Sequence, residues 1–196
     1  MAVGVDVVDS RKQVERLIWS SGNYAVVAQL LVEPALKLVE AAAIDPGMDV
    51  LDVATGTGNV AIPAARRGAS VVALDLTPEL LDKARARSEA AGVEITWCEG
   101  DAEQLPFADD SFDRVLSTFG VQWAPGQRQV VRELVRVCRP GGLIGVCSWT
   151  PEGLAGRYIQ LLKARVGARS ESSRATDWGD EHKVREMFAG TAVELS

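Results

Sequence analysis

The sequence has a single histidine, His182, which argues against a histidine-based triad and against a multi-histidine metal site. Cysteine is nearly as scarce. Cys98, Cys138 and Cys147 are odd in number, widely spaced and form no C-x-x-C pair. They read as small buried hydrophobes in a reducing compartment, and no metal is expected. Positive charge is in deficit: the net charge of −6 disfavours a nucleic-acid surface or an anionic membrane as partner. The chain has no run of about 18 apolar residues that could span a membrane. Met1 to Asp9 lacks the basic start and apolar centre of a secretion signal, so the expected location is the cytoplasm.

An apolar fraction of 47% and a length of 196 residues are enough for a full core in one globular unit. Ser10 to Trp19 patterns as a helix, with Val14, Leu17 and Ile18 on one side and Arg11, Lys12, Glu15 and Arg16 on the other. Ser20-Ser21-Gly22-Asn23 breaks it, Tyr24 to Leu31 is a second helical piece, and a third runs from Pro34 to about Ala43.

From Asp49 an alternation begins. Strands are predicted over Asp49–Val53, Ser70–Leu74, Val93–Cys98, Phe112–Ser117 and Leu143–Trp149. Helices are predicted over Thr57–Arg67, Thr77–Ala91 (stopped by Gly92) and Gln127–Cys138, and Arg139-Pro140-Gly141-Gly142 is a turn. Apolar strands alternating with helices predict an α/β, Rossmann-like, doubly wound and mostly parallel sheet with helices on both faces. Beyond it, Gly153–Ala168 and Glu181–Phe188 pattern as helices, the latter closed by Gly190. Arg169–Thr176 is a polar loop, and Thr191–Ser196 starts like a strand.

The organising stretch is V-L-D-V-A-T-G-T-G-N-V-A at 50–61, which reads as a buried strand, a tight Gly-rich turn and a helix start. Gly56 and Gly58 allow positive φ and close approach of a ligand to the main chain. A helix starting there would aim its free N–H groups at an anion. Asp52, Asp75 and Asp101 fall at or just past the ends of consecutive predicted strands, where ligands of such sheets bind. Asp75 has the spacing from the glycines of a ribose-binding acid. The three carboxylates beside the turn describe a nucleoside-binding rim. G-T-G-N-V-A also fits the dinucleotide fingerprint, so an NAD(P)-dependent oxidoreductase is one reading.

Further motifs complete a set: V-V-A-L-D at 71–75, G-D-A-E-Q-L-P-F at 100–107, D-S-F-D-R-V at 110–115 and R-V-C-R-P-G-G at 136–142. In order and spacing, residues 45–150 resemble the class I S-adenosylmethionine-dependent methyltransferases, with the flavour of the ubiquinone and menaquinone biosynthesis branch. The resemblance implies S-adenosylmethionine as cofactor, S-adenosylhomocysteine as product and a small organic molecule as methyl acceptor. It implies main-chain contact from Ala54, Thr55, Gly56 and Gly58 to the methionine part, with Asp52 near its amino group. Asp75 would accept both ribose hydroxyls and Leu76 would flank the adenine. Asp101 would accept from the adenine amino group, and Ala102 would donate to a ring nitrogen. Ser117 and Thr118 would line the methionine end, and Phe119 and Trp123 would border the acceptor cleft. W-S-S-G-N-Y at 19–24 resembles a lid over the cofactor, with Tyr24 as its contact; Trp19 and Tyr24 also suit a core.

The sequence departs from the family pattern twice. The first glycine of the turn is replaced by Ala54. The family sheet has seven strands, and here the chain ends about where the sixth begins. The expectation is a truncated chain lacking the last strand, or a second copy covering the edge of strand five. Residues 1–44 are read as a helical cap, 45–196 as the cofactor-binding domain and 150–180 as an acceptor-site insertion. Arg128, Arg132, Arg136 and Arg139 read as a solvated helix face, and Glu171 and Asp177 are too isolated to be nominated. No catalytic base is assigned, since displacement at an activated sulfonium methyl needs alignment and exclusion of water above all. A non-catalytic cofactor-binding module is the third reading.

Overall fold

The computed structural model describes residues 7–21, 24–166 and 175–196. Three helices come first: α1 (Val7–Ser20), α2 (Tyr24–Leu30) and α3 (Val32–Ala41). The alternation follows as β1 (Asp49–Val53), α4 (Ala61–Arg66), β2 (Ser70–Asp75), α5 (Pro78–Ala91), β3 (Thr96–Glu99) and β4 (Phe112–Thr118). Then come α6 (Gln127–Val137), β5 (Cys138–Cys147), α7 (Leu154–Val166) and α8 (Glu181–Phe188). Gly22-Asn23, the end of the helix predicted to Ala168 and most of the predicted polar loop, Glu171 included, lie outside the described residues.

All five strands pair in parallel, in the order β3-β2-β1-β4-β5. Because successive strand residues point to opposite faces, the sheet feeds two cores. Leu51, Val53, Leu74 and Val115 pack with Val130, Leu134 and Phe188 of α6 and α8. Val50, Val71, Ala73 and Leu116 pack with Ala35, Val39, Ala61 and Ala64 of α3 and α4. Truncating the fully buried Leu51 or Leu116 to alanine would cost about 2–5 kcal/mol. The chain leaves β1 toward one side and β4 toward the other, so the crevice of this sheet opens at the carboxyl ends of those two strands.

Thr77 precedes α5, Pro78 opens it and Gly92 closes it in the left-handed region at φ 66°, as expected. Four expectations are corrected. The helix predicted from Thr57 begins at Ala61, because residues 54–60 form the turn itself. β3 starts at Thr96: the Val93 N–H closes α5 by donating to the Ser88 carbonyl at 3.1 Å, which holds the chain off the sheet edge there. Arg139 to Gly142 is a bulge inside β5, with Phe112 opposite Cys138 but Arg114 opposite Leu143. Thr191–Ser196 forms no strand; Val193 and Leu195 pack on the first core, and no described strand covers the outer edge of β5.

The arginine face also differs. Arg136 donates to Asp109 at 2.8 Å, to the Phe107 carbonyl at 2.7 Å and to Glu133 at 2.7 Å. Arg139 bridges Asp49 at 2.9 Å and Asp113 at 2.8 Å. Both are clamps between elements, whereas among the described residues Arg132 reaches only Gln129 on its own helix. Among the described residues, no helix is long and apolar enough to cross a membrane.

Candidate functional site: a crevice at the carboxyl end of the sheet

The turn after β1 is built from unusual backbone. Ala54 (φ 55°), Gly56 (φ 56°) and Gly58 (φ 83°) all take positive φ, which costs an alanine but not a glycine. Thr55 N–H donates to the Leu74 carbonyl at 3.0 Å, and Gly56 N–H to Asp75 Oδ2 at 2.7 Å, so the turn is tied to the end of β2. Gly120, beyond β4, completes the fit. A Cβ there would stand 2.4 Å from the Ala54 Cβ.

Asp52 is buried at 1% exposure and accepts from Thr55 Oγ1 at 2.5 Å and from Ala61 N–H at 3.0 Å. The first N–H of α4 is therefore capped by the chain's own carboxylate. This corrects the expectation of a helix start open to an anion. Burial pushes the Asp52 pKa up to about 7, with a smaller push from Asp75, against the two hydrogen bonds. Asp75 is also buried; its other oxygen accepts from Thr77 N–H at 2.9 Å, and burial raises its pKa despite these donors. A neighbouring ligand that donates hydrogen bonds would relieve both carboxylates.

Tyr24 lies on the turn. A Cβ on Gly56 would meet the Tyr24 ring at 3.2 Å, and the ring borders two spaces. The larger runs from Ala54, Gly56 and Tyr24 past Asp75 and Leu76 to Asp101 and Ala102. The smaller is lined by Asp52, Thr55, Thr57, Asn59 and Thr118. Thr118 Oγ1 is buried with no hydrogen-bond partner. An orphaned hydroxyl of this kind invites a ligand atom or water.

At the far end, Asp101 accepts from Glu103 N–H at 2.9 Å and is paired with Lys12 of α1. Lys12 also reaches Glu103 at 3.3 Å, and Arg16 reaches Glu99 at 2.9 Å. The polar side of α1 thus faces the strand ends, leaving Val14, Leu17 and Ile18 exposed. Aromatic rings close the crevice. Trp19 meets Tyr24 at 5.7 Å and Trp123 at 5.5 Å, and Phe119 stacks on Trp149 at 4.1 Å. Phe119 is held at φ 56°, a strained state for a bulky residue of the kind that gathers at binding sites.

Of the residues singled out in the sequence, the crevice brings together Tyr24, Asp52, Ala54, Thr55, Gly56, Asp75, Leu76, Asp101, Ala102 and Thr118. Gly58 and Ser117 line neither space. A Cβ on Gly58 would meet Trp97 at 3.1 Å, and Ser117 Oγ accepts from Val121 N–H at 3.3 Å. Lys12, Thr57, Asn59 and Gly120 were not singled out. Their partners lie far off in sequence, and only the i, i+3 and i+7 spacing of Lys12, Glu15 and Trp19 on one helix face hinted at a shared surface.

A five-stranded parallel sheet with an acid at each of three strand ends and a Gly-rich turn at the switch point is a Rossmann-like architecture. The comparisons narrow this. Residues 50–142 match the methyltransferase domain family. An uncharacterised protein of Mycobacterium tuberculosis is 46% identical over 182 residues, covering 92% of this chain. The chain spans 66% of the length of that relative. A candidate methyltransferase of Bacillus halodurans superposes with a TM-score of 0.63 at 34% identity, over 78% of this chain and 67% of its own. A S-adenosylmethionine-dependent methyltransferase of Geobacter sulfurreducens, solved with S-adenosylhomocysteine, gives 0.52 at 30% identity, over 58% of this chain and 47% of its own. The chain belongs to the class I S-adenosylmethionine-dependent methyltransferases. The oxidoreductase reading is set aside.

Proposed function

We propose that this chain binds S-adenosylmethionine across the ends of β1, β2 and β4 and transfers its methyl group to a small organic acceptor. The observation that carries the reading is the meeting of Asp75 Oδ2 with Gly56 N–H at 2.7 Å, in the wall of the larger crevice. In this reading the Asp75 carboxylate accepts from the ribose hydroxyls, for which a two-oxygen acceptor is suited. Leu76 and Ala102 flank the base, and Asp101 accepts from its amino group. Asp52, Thr55 and Thr118 serve the amino-acid arm; the unpartnered Thr118 hydroxyl and the buried Asp52 carboxyl suit the charged groups of a zwitterion there. When bound, the cofactor supplies an activated methyl group on sulfonium.

The protein's own contribution is alignment and exclusion of water. Tyr24 covers Gly56, and burial together with the Asp75 and Asp52 charges pushes its phenol pKa up, keeping it protonated. Trp19, Trp123, Phe119 and Trp149 make the neighbouring wall aromatic, which favours an apolar or planar acceptor. In this reading helices α1–α3 serve as the cap and residues 150–166 and 175–180 border the acceptor side, with 167–174 outside the described residues.

Calorimetric titration with S-adenosylhomocysteine, using NAD and NADP as controls, tests the reading. Micromolar binding of the thioether alone is the expected result. Binding of a nicotinamide cofactor in its place would contradict it.

A further inference from the structure

The turn has a defect in its hydrogen bonding, and the repair comes from outside it. In a regular helix the Thr57 carbonyl would accept from the Ala61 N–H four residues on. Asp52 has taken that donor at 3.0 Å. The neighbouring carbonyls are satisfied locally: Thr55 by Gly58 N–H, Gly58 by Ile62 N–H and Val60 by Ala64 N–H. Thr57 is instead met by Arg87, one turn before the end of α5, whose Nη1 donates to its carbonyl and, at 2.9 Å, to its hydroxyl. The same nitrogen donates to Asn59 Oδ1 at 2.9 Å. The other end of the Asn59 amide donates to the Ala28 carbonyl of α2 at 2.7 Å. One guanidinium thus links α5, the turn and the helix that carries Tyr24.

Charge adds to this. No carboxylate among the described residues pairs with Arg87, and burial of its head lowers its pKa from the ordinary arginine value. Thr57 and Asn59, the residues it holds, line the smaller space with Asp52 and Thr118. An unneutralised cation stands behind one wall of that space, and the Asp52 carboxyl forms another. A zwitterionic amino-acid arm has a charge for each.

We propose that Arg87 is a positioning residue for the amino-acid arm of the bound cofactor: it fixes Thr57 and Asn59 in the ligand-facing turn and, through Asn59, holds α2 over it. The inference rests on reading this crevice as an S-adenosylmethionine site. Because Thr57 and Asn59 line the smaller space and not the larger, loss of the guanidinium should weaken ligands that carry that arm far more than ligands that lack it.

The test compares S-adenosylhomocysteine with methylthioadenosine, which keeps the nucleoside and lacks the amino-acid arm, by calorimetry on the chain and on Arg87→Met, Arg87→Lys and Asn59→Leu. Arg87→Met should weaken S-adenosylhomocysteine at least tenfold and methylthioadenosine less than twofold. Arg87→Lys should recover part of the loss, and Asn59→Leu should show the same selectivity as Arg87→Met. Arg87→Met also strands the buried Thr57 carbonyl, so a modest fall in melting temperature is expected and both ligands are titrated well below that transition. Equal loss of both ligands, or no loss, overturns the inference. A wild-type chain that binds neither ligand overturns the functional reading, and the inference with it.

Discussion

Asp75 and Gly56 meet through a single hydrogen bond of 2.7 Å, from the turn's N–H to the carboxylate at the end of the neighbouring strand. β1 pairs with β2 so that Val53 lies opposite Leu74, which puts the turn and Asp75 at the same height. Asp75 and the turn are therefore tied to each other across the two strands, and changes in either are expected to be read by the other.

Asp52 makes both stability and binding depend on pH. Its carboxyl ionises near 3.8 in the unfolded chain and at about 7 when buried. The folded state therefore holds the extra proton in that window. The stabilisation is full below about pH 4 and is lost as pH rises to about 7, by on the order of 4 kcal/mol. Asp52→Asn should flatten this slope in thermal melts. Where Asp52 serves the ligand's ammonium group, S-adenosylhomocysteine affinity rises with pH to about 7 and then levels. An unchanged affinity between pH 5.5 and 8 would contradict that role.

Ala54 and Gly120 should be energetically coupled. A Cβ on Gly120 would lie 2.4 Å from the Ala54 Cβ and 2.7 Å from its carbonyl oxygen, so Gly120→Ala should cost about 1–3 kcal/mol. In an Ala54→Gly background that cost should fall, because one of the two clashes is gone. Urea denaturation of the four proteins in the cycle measures the coupling, and additive losses would show that the contact is relaxed in solution.

Lys12 tethers α1 to the β3 end of the crevice through Asp101 and Glu103. Partly exposed pairs of this kind contribute modestly and are screened by salt. Lys12→Met should raise the S-adenosylhomocysteine off-rate about three- to fivefold at low salt, the scale of roughly 1 kcal/mol. At about 1 M salt, where the screening length is about 3 Å, the two proteins should converge. Stopped-flow displacement gives both rates; a gap that persists in salt would rule out the ionic tether.

Glu133 should matter for folding and not for the site. It is 9% exposed, accepts from Leu105 N–H at 2.8 Å and carries the Arg136 fork, and that hydrogen-bonded fork lowers its pKa. The stabilisation is present above the ordinary glutamate value and fades as pH falls below about 4.5. Glu133→Ala, which strands the Leu105 N–H and takes one carboxylate from Arg136, should cost about 2–4 kcal/mol at neutral pH in denaturant melts, with cofactor affinity retained in the folded fraction.

The sheet and its rim were legible because their signals are local. Apolar runs of strand length, Gly92 after α5, and Asp52, Asp75 and Asp101 at strand ends can all be read within a few residues of themselves. What escaped was set by partners far along the chain. The start of α4 depends on Asp52, nine residues back, capturing the Ala61 N–H. Arg136 and Arg139 had the spacing of a solvated face, yet they clamp Asp109, Asp49 and Asp113 because the sheet brings those carboxylates under them. The apolar side of α1 had the pattern of a core face, but its ion pairs and Trp19 turn the opposite side inward. Thr191–Ser196 had strand propensity and found the α8 side of the core instead.

The most direct measurement is the titration of wild type and Asp75→Ala with S-adenosylhomocysteine under identical conditions. The account predicts micromolar binding that weakens at least tenfold in the variant, with a folded variant shown by its melting transition. Equal affinity in the two proteins would contradict the placement of the nucleoside at Asp75.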